Sequence, residues 1–174
     1  MGAGDFDLTM DELRAVARFA SDCAQELLTD FEAVAPDDSR PREAIDAARI
    51  FADGAARSNL QRTAAFASHR AAKGVSDEIA QLAALACGDA AAAAYLHPIA
   101  KASQVGHILR AAACVARATE LSKGTADADT VRALADRATP PLPEVLRRYP
   151  VALPGSSRVS QLMSAIDSAI RNRN

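Results

Sequence analysis

Apolar residues recur every three or four positions through most of the chain, which is the spacing of one buried face on an α-helix. The first stretch begins at the capping-box pattern Thr9 to Glu12 and ends before Pro36, because a proline keeps the preceding residue out of the helical conformation. Later stretches are bounded in the same way by capping residues, glycines and prolines. Seven helices are therefore predicted, at about residues 10–35, 40–54, 58–74, 77–97, 99–124, 127–138 and 158–171.

No segment alternates apolar and polar residues with the β-branched enrichment of a strand, so we predict an all-α fold. The connections are short, which favours a single-domain antiparallel helical bundle of about seven helices over residues 1–174. Residues 1–8 are expected to be a flexible N-terminus. Residues 139–157 are interpreted as a Pro-rich connector, with one or two helical turns between Glu144 and Tyr149, before the C-terminal helix at 158–171.

Alanine makes up 42 of the 174 residues and there is no tryptophan, so the apolar faces of the helices consist mainly of small side chains. Small residues allow two helix backbones to approach closely, which predicts that the fourth and fifth helices form an Ala-rich central pair. The apolar face of the third helix is also mostly alanine. Its two large apolar residues, Leu60 and Phe66, are expected to anchor it in the core.

The net charge of −2 excludes a strongly basic nucleic-acid-coating protein, but the charge is unevenly distributed. Residues 1–38 hold ten acidic and two basic side chains, and the rest of the chain is net positive. An acidic face of this kind speeds the encounter with a basic partner, although solvated helix faces are often charged as well. The candidate partner-binding residues are Asp22, Glu26, Asp30, Asp37, Asp38, Arg40 and Arg42.

Candidate chemistry is limited to two histidines and one cysteine. The sequence has no complete catalytic set, Gly-rich phosphate loop or metal-ligand spacing, so no catalytic residue, cofactor or metal is predicted. His107 and Cys114 are seven residues apart and share one face of a helix, and His97 on the neighbouring segment can approach them. These three side chains are either a ligand-binding group or filler between packed helices.

The turn from Asp37 to Arg42 (Asp-Asp-Ser-Arg-Pro-Arg), with the Glu-Ala-Ile that follows, resembles the bacterial "putative immunity protein" family. That family is an all-α group associated by genome context with polymorphic toxin systems, and its members are sometimes labelled exonuclease subunits. Cys87-Gly88, the segment from His107 to Ala118 and the segment from Leu142 to Arg147 are also similar to it. The resemblance covers about residues 12–148 and implies a cytoplasmic, non-enzymatic protein that neutralises a toxin domain by binding it. It brings no catalytic residues with it.

The sequence supports three hypotheses of different kinds. The first is a binding protein of the immunity type, with a toxin domain as its protein partner. The second is a small-molecule- or metal-binding helical domain, with a potential enzymatic role, that uses His97, His107 and Cys114. The third is a homodimer whose Ala-rich faces pair between subunits.

Neither a nucleic acid nor a membrane is predicted as a partner. The sequence lacks basic clusters with interleaved aromatic residues, and it has no stretch of about 20 apolar residues. Its first residues are acidic and do not resemble a signal peptide. A cytoplasmic location is therefore expected.

Overall fold

The computed structural model describes residues 5–124 and 128–173, and over these residues the chain forms eight α-helices and no strand. The all-α prediction is therefore confirmed. The helices are α1 (Met10–Val34), α2 (Arg40–Ala52), α3 (Asn59–Ala72), α4 (Glu78–Ala92), α5 (Val105–Lys123), α6 (Ala128–Asp136), α7 (Leu142–Arg147) and α8 (Arg158–Arg171). Two short 3-10 turns, Ala93–Tyr95 and Ala102–Gln104, lie between α4 and α5. The predicted first residue of the sixth helix, Asp127, lies outside the described residues.

Two capping boxes fix where α1 and α3 begin, as the sequence predicted. The Thr9 backbone N–H donates to Glu12 Oε2 at 2.9 Å, and the Glu12 backbone N–H donates to Thr9 Oγ1 at 3.2 Å. Ser58 and Gln61 form the same reciprocal arrangement before α3. Each box satisfies two backbone donors that the helix itself cannot pair.

Helix α4 is the axis of the bundle, because α1, α2, α3 and α5 all contact it. Ten of its fifteen residues are buried, and most of these are alanine or glycine. Helix α5 packs beside it, also has an alanine-rich buried face, and further contacts α1 and α8. The small side chains let the surrounding helices approach closely, which gives the Ala-rich central pair expected from the sequence.

The fifth helix begins later than predicted. Ile99 was expected in its first turn, but α5 begins at Val105, and residues 96–101 form an irregular loop. Pro98 cannot donate a backbone hydrogen bond, and Lys101 has an extended backbone (φ −121°, ψ 131°), so the helix cannot be extended backwards through this segment. The loop matters below because it carries His97.

The proline-rich segment 139–157 contains helix α7, which raises the number of helices to eight. Its buried apolar side chains are Leu142, Val145, Leu146, Tyr149 and Ala152. The N-terminal segment lies against the same region. The Phe6 ring contacts the Tyr149 ring edge-on, with centroids 4.9 Å apart, and Arg148 donates to the Asp7 carbonyl at 2.9 Å. Residues from Asp5 to Leu8 are therefore attached to the body of the protein, whereas residues 1–4 lie outside the described part.

Helix α3 is oriented differently from the prediction. Leu60 and Phe66, expected as core anchors, are 48% and 58% exposed. The helix instead buries alanines together with Gln61 and Ser68. Gln61 Nε2 donates to the Ala47 carbonyl of α2 at 3.1 Å, and Ser68 Oγ donates to the Ala84 carbonyl of α4 at 2.7 Å. These bonds offset the desolvation of both polar groups. The prediction that Leu60 and Phe66 anchor α3 in the core was wrong, because both side chains are about half exposed.

Candidate functional site

The acidic side chains of the candidate partner surface follow one side of α1 and the turn after it. Asp22, Glu26 and Asp30 are four residues apart, so they lie on the same face, and all three are exposed. Asp37 is exposed in the turn that leads to α2. Glu26 forms an ion pair with Arg137, whereas the other three carboxylates make no ion pair within the described residues.

The remaining members of the predicted surface are engaged in the joint between α1 and α2. Asp38 accepts hydrogen bonds from Arg40 Nε at 2.8 Å and Nη2 at 2.6 Å. This pair holds the pKa of Asp38 below its ordinary value. Arg42 Nε donates to Glu32 Oε1 on α1 at 2.7 Å. These charges stabilise the turn, so they are less available to a partner than Asp22, Asp30 and Asp37.

A second candidate site is a cleft of about 210 Å³ between α3, the end of α4 and the start of α5, which we call the imidazole cleft. All three histidines of the chain lie in its wall. The lining residues are Arg62, Ala65, Phe66, His69, Ala92, Tyr95, His97 and His107. The structure thus brings His97 and His107 together, as the sequence suggested, and adds His69 to them.

Beneath the cleft lies Asp89, whose carboxylate is almost fully buried on α4. His69 Nε2 is 3.2 Å from Asp89 Oδ1. Arg110 Nε is 3.0 Å from Asp89 Oδ2, an ion pair without the alignment of a hydrogen bond. Two potential cations therefore compensate the one buried acid next to the cleft, and the contact with Asp89 fixes the orientation of the His69 ring.

The close approach of α3 and α4 at this point depends on Gly88. A Cβ atom on that residue would stand 2.3 Å from His69 Cδ2 and 3.0 Å from the Ala65 carbonyl oxygen. Both distances are too short for an ordinary contact. Glycine is therefore required here for the imidazole to lie against α4 and reach Asp89.

His107 lies in the first turn of α5 and is half-buried. Its Nδ1 atom is buried and makes no hydrogen bond within the described residues. Burial lowers the pKa of His107, and the negative charge of Asp89 opposes only part of that effect. The ring is consequently neutral near pH 7. In that form one ring nitrogen donates a hydrogen bond and the other accepts one, and the tautomer decides which.

His97 is exposed on the loop after α4, and the backbone of that loop is firmly held. The His97 N–H donates to Gln104 Oε1 at 3.0 Å, and Tyr149 Oη donates to the His97 carbonyl at 2.9 Å. Asp5 adds two hydrogen bonds, from its N–H to the Pro98 carbonyl at 2.8 Å and from the Ala100 N–H to its carboxylate at 2.6 Å.

Tyr95 closes one side of the cleft and lies next to two guanidinium groups. Arg57 and Arg62 stand 5.2 Å and 4.7 Å from its ring centroid, which is cation–π distance. Its hydroxyl donates to the Ser58 carbonyl at 2.6 Å. The ring is therefore a fixed wall of the cleft.

Cys114 does not join the histidines. It is 1% exposed in the core, and burial raises the pKa of its thiol, so it is not a reactive group. Its spacing from His107 does place both on one face of α5, but the cleft covers only the start of that helix. Among the described residues, no group of three or more His, Cys, Asp or Glu side chains is arranged to hold a metal ion.

Sequence reasoning missed the contribution of α3 to the cleft. Arg62, Phe66 and His69 are spaced four and three residues apart, so they share one face of a helix. This stripe of basic and aromatic residues was a usable signal. It was overlooked because Phe66 was assigned to the core.

The family model described as Imm-5 like putative immunity protein matches residues 7–136, which is most of the chain and includes α1 to α6. No curated protein and no solved structure matches it. Over the described ranges, no helix is long and apolar enough to cross a membrane.

Proposed function

The chain belongs to the Imm-5 like putative immunity protein family, and from that premise we propose that it is a non-enzymatic protein that neutralises a cognate bacterial toxin by binding it in the cytoplasm. The toxin is expected to be a basic domain. The acidic side of α1 and the following turn is the proposed binding surface.

One observation carries this choice of surface. Asp22, Asp30 and Asp37 are exposed and make no ion pair among the described residues, while the neighbouring Asp38 and Glu32 are neutralised by Arg40 and Arg42. Asp30 and Asp37 keep their negative field for an approaching partner because no ion pair within the described chain neutralises them, whereas the nearby Arg137 partly offsets the charge of Asp22. These carboxylates therefore favour a cationic partner and speed the encounter with it.

The test is a protection and binding experiment with the toxin encoded beside this gene. Co-expression with the full chain should restore growth of bacteria that produce the toxin. The triple variant Asp22→Asn, Asp30→Asn, Asp37→Asn should lower the association rate constant by about 10-fold or more at low salt. The difference should shrink as salt is added, because screening weakens the attraction between exposed charges.

The matched control removes the same amount of charge elsewhere. Asp7→Asn, Asp46→Asn and Glu144→Gln are also at exposed carboxylates without an ion pair in the described chain, so the control variant should associate nearly as fast as the parent. An equal loss in both variants would show that net charge matters and the α1 surface does not. Absence of any complex with the neighbouring toxin would reject the proposal itself, and light scattering on the free protein would reveal a homodimer.

A further inference from the structure

The charged groups around the imidazole cleft are almost all cations or potential cations. Arg62 and His69 face it from α3, His97 from the loop, and His107 from α5. Among the described residues the one acid against it is Asp89, which is already contacted by His69 and by Arg110 of α5. This part of the chain therefore offers hydrogen-bond donors and positive charge to a ligand, and no unpaired carboxylate that would repel an anion.

The rest of the lining is apolar and partly aromatic. Phe66 is 58% exposed at the rim, and the centroid of the Tyr95 ring lies 4.7 Å from the Arg62 guanidinium. Ala65 and Ala92 leave room between them. A wall of this kind accommodates the flat face of a ring, since aromatic and alanine side chains present no hydrogen-bonding groups to it.

We propose that the imidazole cleft binds a small organic anion, a carboxylate or phosphate group attached to one planar ring. Arg62, His97 and His107 hold the anionic oxygens. The ring lies against Phe66. This site is separate from the acidic surface on α1 and goes beyond the proposed toxin binding, so either can hold without the other.

The size of the cleft restricts the ligand to a small molecule. The cleft measures about 210 Å³, below the range of about 300–1,000 Å³ that is usual for larger ligands, so one ring with its acidic group fits better than a dinucleotide. The His107 ring also lines the cleft, but its Nδ1 atom is shut off from solvent and therefore from a ligand, so this residue can reach an anionic oxygen only through the rest of its ring.

The pH dependence follows from the groups that face the ligand: Arg62, His69, Asp89, His97, His107 and Arg110. Among these groups, burial lowers the pKa of His107, so its ring becomes cationic only at a pH below its ordinary range. Affinity for the anion should therefore rise once the pH is low enough to protonate His107, because the ring then adds a positive charge to the cleft.

The experiment titrates the full chain with benzoate and with phenyl phosphate, followed by the NMR signals of the histidine rings. Saturable shifts with a dissociation constant of about 1 mM or tighter are expected from at least one anion. Benzyl alcohol, which has the ring without the charge, and inorganic phosphate, which has the charge without the ring, should bind about 10-fold more weakly or not at all. Comparing benzoate with phenyl phosphate identifies the preferred anionic group.

Variants at exposed positions locate the site without unfolding the protein. His97→Gln and Arg62→Gln should each weaken binding by about 10-fold. Arg70→Gln removes a cation from the same helix outside the cleft and should have no effect. Unfolding temperatures, measured in parallel, confirm that each variant is folded.

Three results would overturn the proposal: no saturable binding of either anion, equal binding of benzyl alcohol, or equal losses in Arg70→Gln and Arg62→Gln. If the protein binds zinc stoichiometrically and the variant His97→Gln does not, the cleft is a metal site and the anion proposal is wrong.

Discussion

Helices α3 and α4 are neighbours in the chain and in the bundle, yet their buried faces are chemically different. α4 buries mainly alanines and Gly88 and is covered by four other helices. α3 buries Gln61 and Ser68 and leaves Leu60 and Phe66 exposed to solvent. In both helices most buried residues let the backbones approach closely, either by being small or by donating a hydrogen bond across the gap, and Leu82 and the ion-paired Asp89 of α4 are exceptions. In an alanine-rich bundle, size and hydrogen bonding decide the buried face more than apolar character does.

The largest effect should come from enlarging the centre of α4. Ala86 is fully buried, so Ala86→Leu must displace neighbouring helices, and a loss of about 3 kcal/mol in the free energy of unfolding is expected. Urea denaturation followed by circular dichroism measures it. Ala133→Leu, the same change at an exposed position of α6, is the control and should cost little. If Ala86→Leu unfolds at the parent's urea concentration, the bundle axis is not tightly packed.

The next effect should come from the buried amide of α3. Gln61→Ala removes both the capping contact with Ser58 and the bond to the Ala47 carbonyl, so the free energy of unfolding should fall by about 2 kcal/mol. Gln81→Ala provides the comparison, because its amide donates to the Val75 carbonyl at a half-buried position and should cost less than about 1 kcal/mol. Equal losses of unfolding free energy in the two variants would mean that the buried hydrogen bond of Gln61 stabilises the protein no more than the half-buried one of Gln81.

A smaller effect should distinguish two helical glycines. Gly88→Ala pushes its Cβ against the Ala65 carbonyl and displaces His69 from Asp89, which should outweigh the gain in helix propensity and leave a net loss of about 1 kcal/mol. In Gly106→Ala the new Cβ meets only the end of the flexible Arg110 side chain, which can shift at the cost of part of its ion pair with Asp89, so this variant should lose less stability than Gly88→Ala. Thermal unfolding of both variants tests the contrast, and an equal or larger loss in Gly106→Ala would contradict it.

The smallest effect is expected at the exposed apolar residues of α3. Leu60→Ser and Phe66→Ser should each change the free energy of unfolding by less than about 0.5 kcal/mol, because neither side chain is in the core. Phe66→Ser should at the same time weaken anion binding in the imidazole cleft, whereas Leu60→Ser should not. A decrease of more than about 2 kcal/mol in the free energy of unfolding would instead show that the side chain is part of the core.

Features that depend on a few adjacent residues could be predicted from the sequence. The caps at Thr9 and Ser58, and the last helix from Arg158 to Arg171, match the structure because the signals lie within four residues of each helix start. The late start of α5 could not be predicted in this way. Pro98 marks a helix boundary in the sequence, but the loop that contains it is held by hydrogen bonds with Asp5 and Tyr149, which lie far from the loop in the chain.

The buried face of α3 was not predictable for a different reason. Alanine occupies five of the seven apolar positions of α3, so no face of the helix has a strong apolar pattern, and Leu60 and Phe66 decided the assignment. The actual choice rests on bonds from Gln61 and Ser68 to α2 and α4, which only the packed structure reveals. The same packing separates His107 from Cys114, although both lie on one face of α5.

The burial of the three thiols has a practical consequence. Cys23, Cys87 and Cys114 are all in the core, and burial raises the pKa of each, that of Cys23 to about 12. Maleimides react with accessible thiolates, so the folded protein should resist labelling without any native cysteine being replaced. A cysteine placed at Thr63 would then be the sole attachment point for a fluorophore, on the outer side of α3 and available to report on whatever docks nearby.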